Sequence, residues 1–180
     1  PRLRGAAYDE VVEAFVAGVR EVHPRAVLQW EDFKQHNAIR LLDRYRNWIC
    51  SFNDDIQGTA AVVLAGLLSA LRVTGEKLSD QRFLFLGAGE AATGIANLIV
   101  AAMGEEGVAA EQARKRCWLF DTHGLVVASR RDLAEHKRPY AHAHAPTSDF
   151  IGAVKSLRPT AIVGVGAVPG TFTEDVVREM

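Results

Sequence analysis

Apolar and polar residues follow one another along the chain in blocks that are typical of an α/β protein. Continuous apolar runs at residues 83–86, 117–121 and 161–166 predict buried strands. A further short strand is predicted at 26–30, and a short extension of the sheet at 125–127. Segments between the strands carry apolar residues at helical spacing, which predicts helices at 8–22, 38–45, 60–71, 89–103, 111–116 and 149–157.

The order of these elements predicts the fold class. Strand, helix, strand, helix and strand in succession, with continuously apolar strands, favour parallel pairing and helices on both faces of one sheet. We therefore expect an α/β fold with a Rossmann-like doubly wound parallel sheet, which is incomplete in this chain.

A glycine-rich turn follows the first of the long apolar strands. It has the pattern G-x-G-x-x-A and consists of Gly87, Ala88, Gly89, Glu90, Ala91 and Ala92. Gly87 permits a tight turn, Gly89 lets a pyrophosphate approach the backbone, and Ala92 lets the helix pack closely on the strand. The alternative is a buried strand-helix unit whose glycines serve packing alone. Because the motif lies between a predicted strand and a predicted helix, dinucleotide binding is the better interpretation.

Two further features at strand ends fit a dinucleotide site. Asp121 ends the second apolar strand, where an acid accepts a hydrogen bond from the adenine ribose. It lies 34 positions after Gly87, more than the usual spacing of about 20, and a surface acid ending a strand is the alternative. Gly164, Val165 and Gly166 end the third strand, where small residues let the backbone approach a ligand.

Two pairs of adjacent acids lie at element boundaries elsewhere in the chain. Glu31 and Asp32 follow the predicted strand at 26–30, and Asp54 and Asp55 precede an apolar helix. Each pair has a simpler interpretation as helix caps or solvated residues. If the pairs converge, however, their oxygens suit Mg²⁺ or Mn²⁺, which prefer carboxylate ligands.

Composition excludes some classes of function. The net charge of −1 gives no reason to expect nucleic acid, and we expect no membrane partner because no apolar stretch reaches spanning length. Cys50 and Cys117 fit no zinc spacing, and Cys117 is expected to be a buried thiol in a reducing compartment. The histidine-containing segment 130–144 is predicted to be a solvated loop rather than a metal site.

Several motifs together resemble those of the malic enzymes, the decarboxylating malate dehydrogenases that use NAD or NADP. The most specific is Phe52-Asn-Asp-Asp-Ile-Gln-Gly-Thr-Ala-Ala, followed by Phe85-Leu-Gly-Ala-Gly-Glu-Ala-Ala. Further matching stretches begin at Gln29, His36, Gly94 and Pro159. The resemblance extends over nearly all 180 residues.

The resemblance implies roles for individual residues. Glu31, Asp32 and Asp55 match the family's metal ligands, and Asp54, beside Asp55, would shape the catalytic site. The turn from Gly87 to Ala92 matches the cofactor turn, Asp121 matches the ribose acid, and residues 164–166 match a loop that lines the cofactor. The family converts L-malate to pyruvate and CO₂ with Mg²⁺ or Mn²⁺. Lys137 and Thr122 are similar to residues of NADP-preferring relatives, so NADP is expected, with NAD as the alternative.

The family's catalytic lysine and tyrosine match nothing in this chain, whose lysines and tyrosines occupy other contexts. We therefore expect a central fragment of a malic enzyme that is inactive alone. Residues 1–57 would be the end of the N-terminal substrate and metal domain, and 58–180 a truncated NAD(P)-binding domain. The chain begins without Met and stops within an amphipathic run, so a targeting segment is not observable, and we expect an intracellular protein, cytoplasmic or organellar (mitochondrion or plastid). The parent enzyme is expected to be a homodimer or homotetramer.

Two competing interpretations remain at this stage. A non-catalytic dinucleotide-binding module would explain the missing acid and base. An S-adenosylmethionine-dependent transferase shares a glycine-rich turn but leaves the acids after Asn53 unexplained.

Overall fold

The structure, a computed structural model, describes residues 2–166 and 170–180, and for residues 35 and 36 it describes the backbone alone. The chain divides into two compact units, Pro1–Asp55 and Ile56–Met180.

The first unit is built on two short parallel strands. Helix α1 (Ala6–Val22) precedes strand β1 (Leu28–Trp30), and helix α2 (Lys34–Tyr45) precedes strand β2 (Ser51–Asn53). The strands pair in register, Leu28 opposite Ser51 and Trp30 opposite Asn53. The buried core of the unit is formed by Val12, Val16, Trp30, Leu41, Tyr45 and Ile49.

The second unit contains a four-stranded sheet in the order β5-β4-β3-β6. Strands β3 (Phe83–Leu86), β4 (Cys117–Asp121) and β6 (Ala161–Gly164) are parallel, and β5 (Gly124–Leu125) returns antiparallel to β4. The helices of this unit are α3 (Thr59–Thr74), α4 (Glu90–Glu105), α5 (Ala110–Arg114), α6 (Phe150–Leu157) and α7 (Glu174–Glu179).

Helices cover both faces of this sheet. Phe83 and Phe85 belong to a core with Ile95 and Ile99 of α4. Leu84, which points the opposite way because strand side chains alternate, belongs to a second core formed with residues of α6 and α7. The doubly wound α/β fold predicted from the sequence is therefore confirmed.

Strand β2 and a 3₁₀ helix are among the elements that were not predicted from the sequence. Strand β2 is only three residues long and starts with a serine, so it gives no apolar signal. The segment 130–144 is not a solvated loop, because it contains a 3₁₀ helix at Glu135–Tyr140. Tyr140 is fully buried, and its hydroxyl donates to Asn97 Oδ1 at 2.6 Å.

Among the described residues, one helical stretch, Asp54–Thr74, has the length and the apolar composition needed to cross a membrane. Our prediction that no stretch reaches this length is therefore wrong. A single helix of this kind is weak support for a membrane location, because core helices pass the same test. One side of the stretch packs on the core of its own unit through Val63, Leu64 and Leu67.

Candidate metal and cofactor sites

The two acid pairs meet because the strands before them are parallel. Glu31 and Asp32 directly follow β1, and Asp54 and Asp55 directly follow β2. Since Trp30 lies opposite Asn53 in the pairing, both pairs leave the carboxyl ends of neighbouring strands at the same edge.

Three of the four acids form a cluster. One carboxylate oxygen from each of Glu31, Asp32 and Asp55 lies within 4.8 Å of the other two. The backbone N–H of Asp32 donates to Asp55 Oδ2 at 3.0 Å, and Gln29 Nε2 donates to Glu31 Oε2 at 3.0 Å. The chain turns sharply here, because Asp32 has the positive φ of 60° that few residues other than glycine adopt.

None of these acids occupies the N-cap position of the α-helix that follows it. Helix α2 begins after Phe33 and helix α3 begins after Gly58, and neither helix has a side-chain hydrogen bond at its N-cap. Asp54 and Asp55 instead open a wide π-helical turn at Asp54–Gly58, and Asp54 is half-buried.

The donor set fits a hard divalent cation. Carboxylate oxygens are the ligands that Mg²⁺ and Mn²⁺ take, and three negative charges within 4.8 Å repel one another unless a cation lies among them. Glu31 and Asp32 are exposed and Asp55 is half-buried, so a cation has access.

A cavity of about 970 Å³ in the same unit is lined in part by Asp32. Four cationic side chains also line it: Arg2, Arg4, Lys34 and Arg40. Arg40 is paired with Asp9 at 2.8 Å. The other three have no ion pair among the described residues, so they can attract an anionic molecule.

In the second unit, the glycine turn lies between β3 and α4 as predicted. Gly87 has a φ of 125°, and a Cβ there would lie 2.8 Å from the carbonyl carbon and oxygen of Val165 and 2.9 Å from the nitrogen of Gly166. The structure therefore brings the glycine turn and the loop after β6 together. Only glycine permits this backbone approach.

Helix α4 begins directly after the second glycine of the turn. That residue, Gly89, is its N-cap residue, so the positive end of the helix dipole lies at the turn, where it favours an anionic phosphate. Ala88 and Ala92 are buried and Glu90 and Ala91 are half-buried, so the small residues pack the turn against the sheet. Gly164 and Gly166 are exposed, with half-buried Val165 between them.

Asp121 is held by two cations at the end of β4. Arg130 donates to both of its carboxylate oxygens, Nη1 to Oδ1 at 2.8 Å and Nη2 to Oδ2 at 3.1 Å. Lys137 Nζ donates to Oδ2 at 2.7 Å. The side chains of Asp121, Arg130 and Lys137 are only 8%, 11% and 20% exposed, so water screens these pairs little. Thr122, the next residue, is exposed.

Sequence reasoning missed Arg130. Its Nε and Nη2 also donate to Asp132, at 3.1 and 2.8 Å, so its guanidinium joins two carboxylates. An arginine nine residues after a strand-ending acid gives no local pattern, and the short return strand β5 is what folds it back onto Asp121.

These ion pairs shift the pKa values of the side chains that form them. Burial acts to raise the pKa of Asp121, but the hydrogen bonds from Arg130 and Lys137 outweigh it and hold the pKa below its ordinary value. Hydrogen bonds to Asp132 and Asp121 raise the pKa of Arg130. Burial lowers the pKa of His136, whose Nε2 lies 3.4 Å from the carbonyl oxygen of Ala88 in the glycine turn.

The second unit thus combines a doubly wound sheet with a glycine turn between a central strand and the next helix, a combination that is typical of dinucleotide-binding proteins. A family model described as "Malic enzyme, NAD binding domain" matches residues 56–180, and one described as "Malic enzyme, N-terminal domain" matches residues 1–46. The chain belongs to the malic enzyme family, as its motifs predicted.

Individual relatives agree with this assignment. The chain is 49% identical over 180 residues to the NADP-dependent malic enzyme of Mus musculus, which matches 99% of this chain and 32% of that protein. It is 48% identical over 182 residues to NADP-dependent malic enzyme 4, chloroplastic, of Arabidopsis thaliana, covering 99% of this chain and 28% of that protein. The chain spans about a third of the length of the curated relatives it matches.

A solved structure shows the same fold. The crystal structure of the Entamoeba histolytica malic enzyme matches with a TM-score of 0.75 and 26% identity, over 95% of this chain and 35% of that chain.

The pairing of Asp121 predicts a pH-dependent contribution to stability. Because its folded-state pKa lies below the unfolded value of about 3.9, the ionised carboxylate stabilises the fold above that value. This stabilisation is lost as the pH falls through the folded-state pKa. The difference in free energy of unfolding between the native chain and Asp121→Asn should therefore be largest near pH 7 and shrink below about pH 4.

Urea unfolding followed by circular dichroism at several pH values measures this difference. Glu174→Gln is the control, because Glu174 pairs with Arg178 on the surface and exposed pairs contribute little. A difference that stays constant between neutral pH and pH 3 would contradict the role of Asp121.

Proposed function

We propose that this chain carries the metal ligands and the cofactor site of a malic enzyme, which converts L-malate to pyruvate and CO₂ while NADP⁺ or NAD⁺ is reduced. The observation that supports it most is the convergence of Glu31, Asp32 and Asp55 within 4.8 Å, in a chain that also has a dinucleotide turn. On this proposal, residues 1–57 end the substrate and metal domain and 58–180 form the cofactor domain.

Each of the clustered acids has a distinct task in this proposal. Glu31, Asp32 and Asp55 hold the cation, and the N–H of Asp32 fixes the orientation of Asp55. Asp54, next to Asp55 in the wide turn, adds negative charge beside the ligands. A bound Mg²⁺ or Mn²⁺ supplies Lewis-acid polarisation of a substrate oxygen and stabilises negative charge that develops there.

The cavity beside the acids suits a substrate with two carboxylates. One end of such a molecule approaches the cation site near Asp32, and Arg2, Arg4 and Lys34 in the cavity wall attract the other.

The reaction also requires a base for the C2 hydroxyl proton and an acid for the C3 carbon. Tyr45 and Tyr140 are fully buried, the first stacked between Trp30 and Trp48. Lys137 is paired with Asp121. Both proton-transfer groups are therefore proposed to lie in parts of the enzyme that this chain does not include.

The chain alone should bind cofactor without turnover. With L-malate, NADP⁺ and Mn²⁺, we expect no absorbance increase from NADPH above a blank without malate, and we expect NADPH fluorescence to change when NADPH is added to the chain. Malate-dependent reduction would contradict the assignment of the base and acid to other segments. It would direct attention to Tyr8 and Lys34, which line the cavity beside Asp32.

The metal assignment predicts the effect of Asp55→Asn. Replacing one of three carboxylates removes a charge and a ligand, so Mn²⁺ affinity should fall by at least the roughly 10- to 100-fold that loss of a group supporting a ligand costs. Electron paramagnetic resonance of free Mn²⁺ measures the affinity directly. Asp43→Asn is the control, because Asp43 pairs with Arg46 on the exposed side of α2.

Equal Mn²⁺ affinity in the native chain and Asp55→Asn would contradict the metal site. A native chain that binds NADPH but no Mn²⁺ would favour the alternative, a non-catalytic dinucleotide-binding module.

NADP rather than NAD is proposed as the cofactor because of the charge around Asp121. Arg130 and Lys137 occupy both carboxylate oxygens, so the acid is poorly placed to accept the free ribose hydroxyl of NAD. Among the described contacts Lys137 uses one of its three N–H groups, so the others can meet a 2′-phosphate. The hydroxyl of exposed Thr122 is small enough to leave room for it.

Lys137→Gln tests this choice of cofactor. Loss of a charge-assisted hydrogen bond worth about 1.5–3 kcal/mol should weaken NADPH binding by roughly 10- to 100-fold. NADH binding should change little, and fluorescence titration measures both. The control Lys115→Gln removes an exposed lysine that pairs with Glu111. Equal losses for NADPH and NADH would contradict selection of the 2′-phosphate by Lys137.

Membership of the family supports a proposal about the assembly, substrates and location of the parent enzyme. We propose that the parent enzyme is a homodimer or homotetramer that acts on small dicarboxylates and not on nucleic acid or membranes. An intracellular or organellar location is proposed, since one relative is named a chloroplastic enzyme.

A further inference from the structure

The connection between β1 and α2 contains two residues with unusual backbone angles. Asp32 has a φ of 60° and Lys34 has a φ of 55°, and neither is a glycine. Left-handed backbone is uncommon for residues with a side chain, and it clusters at functional sites. Aspartate tolerates this conformation because its short side chain can bond the local backbone, whereas lysine has no such compensation. The conformation of Lys34 therefore calls for an explanation.

Phe33, between these two residues, anchors the connection to the core of its unit. Its ring meets the ring of buried Trp30 edge-on, with 5.3 Å between the centroids, and it packs against the core cluster that contains Trp30. The backbone of the neighbouring residue 34 is therefore tied to a packed aromatic pair. Glycine would adopt its positive φ without strain, so the backbone gives no reason for a lysine at this position.

The side chain of Lys34 makes no ion pair within the part of the chain that the structure describes. Lys34 is exposed, and it lines the cavity of about 970 Å³ together with Asp32. The two residues are two positions apart, so their Cα atoms are separated by at most about 7 Å. A positive charge and one of the clustered carboxylates therefore border the same cavity.

We propose that Lys34 recognises the second carboxylate of the substrate and so selects a 2-hydroxy diacid over a 2-hydroxy monoacid. The hydroxyl and adjacent carboxylate of either acid can bind a cation held by the clustered acids. Only the diacid has a further carboxylate, to which the Lys34 ammonium donates a charge-assisted hydrogen bond. This inference rests on the proposed function, since the clustered acids must hold a cation. Every residue it uses lies in the unit Pro1–Asp55.

Lys34 differs from the other cations of the cavity wall in how the fold holds it. Arg2 and Arg4 precede helix α1 in a segment without regular structure, so they add positive charge that attracts any anion. Lys34 instead opens helix α2, directly after the anchored Phe33. A cation on an anchored backbone is the better placed of these to distinguish a ligand with a second carboxylate from one without it.

The test compares L-malate with L-lactate, which has the same hydroxyl and adjacent carboxylate but no second carboxylate. Isothermal titration calorimetry of the full 180-residue chain, saturated with Mn²⁺, measures both affinities. We expect Lys34→Gln to weaken L-malate binding by roughly 10- to 100-fold, which is the loss of one hydrogen bond between charged groups. L-Lactate binding should stay unchanged. Lys34→Arg keeps the charge and should retain most of the preference for L-malate.

Backbone strain provides a second readout. Lys34→Gly removes the charge and also relieves the strain at a φ of 55°, so the preference for L-malate should be lost while the urea midpoint of unfolding does not fall. Arg158→Gly is the matched control, because Arg158 has a φ of 47° at the end of α6 in the second unit. This control should leave L-malate binding unchanged.

L-Malate binding no tighter than L-lactate binding in the native chain would overturn the proposal, as would a preference for L-malate that survives in Lys34→Gln. A lower urea midpoint for Lys34→Gly would show that the lysine serves the fold, and would also overturn it. If Asp55→Asn leaves Mn²⁺ binding unchanged, the proposed function fails. If Asp55→Asn weakens Mn²⁺ binding but Lys34→Gln binds L-malate as the native chain does, only this inference fails.

Discussion

The parallel pairing of β1 and β2 is the constraint on which the carboxylate cluster depends. Both strands are three residues long, and their register places Trp30 opposite Asn53. A slip by one residue would shift Asp55 by about 3.3 Å relative to Asp32, which is comparable to the whole 4.8 Å span of the cluster. Buried Trp30 stacks on Tyr45 of α2 with 5.6 Å between the ring centroids, so a small aromatic core anchors β1, the strand that directly precedes two of the three clustered acids.

At the end of β4, the arrangement of side chains depends on the balance between negative and positive charges. Asp121 and Asp132 carry two negative charges, and Arg130 and Lys137 carry two positive charges at short range. A largely buried acid without such partners would take up a proton or destabilise the fold. Arg130 donates to both carboxylates, whereas Lys137 makes one described hydrogen bond, to Asp121.

The sequence predicts the structural elements that depend on a local pattern of apolar and polar residues. The strands at 83–86 and 117–121 and the helix after the glycine turn are apolar runs long enough to bury themselves, and the acid pairs stand out at element ends. Strand β2, Arg130 and the 3₁₀ helix at Glu135–Tyr140 were missed for one physical reason. Each is fixed by a contact outside its own element: β1 for β2, Asp121 for Arg130, and Asn97 of α4 for Tyr140. A single sequence contains no local signal for such contacts.

The limit of prediction from a single sequence is clearest for the glycines. In the sequence, Gly94 and Gly104 are equivalent small residues of one apolar helix, yet a Cβ at Gly94 would meet Ile56 at 2.7 Å and one at Gly104 would meet nothing within 4 Å. Gly87 against Val165 is a second such approach, at 2.8 Å. In both places two backbones are in contact with no adjustable side chain between them. Contacts of this kind allow the two backbone segments little relative movement. Catalysis by positioning requires ligand-holding groups that are already in place before the substrate arrives.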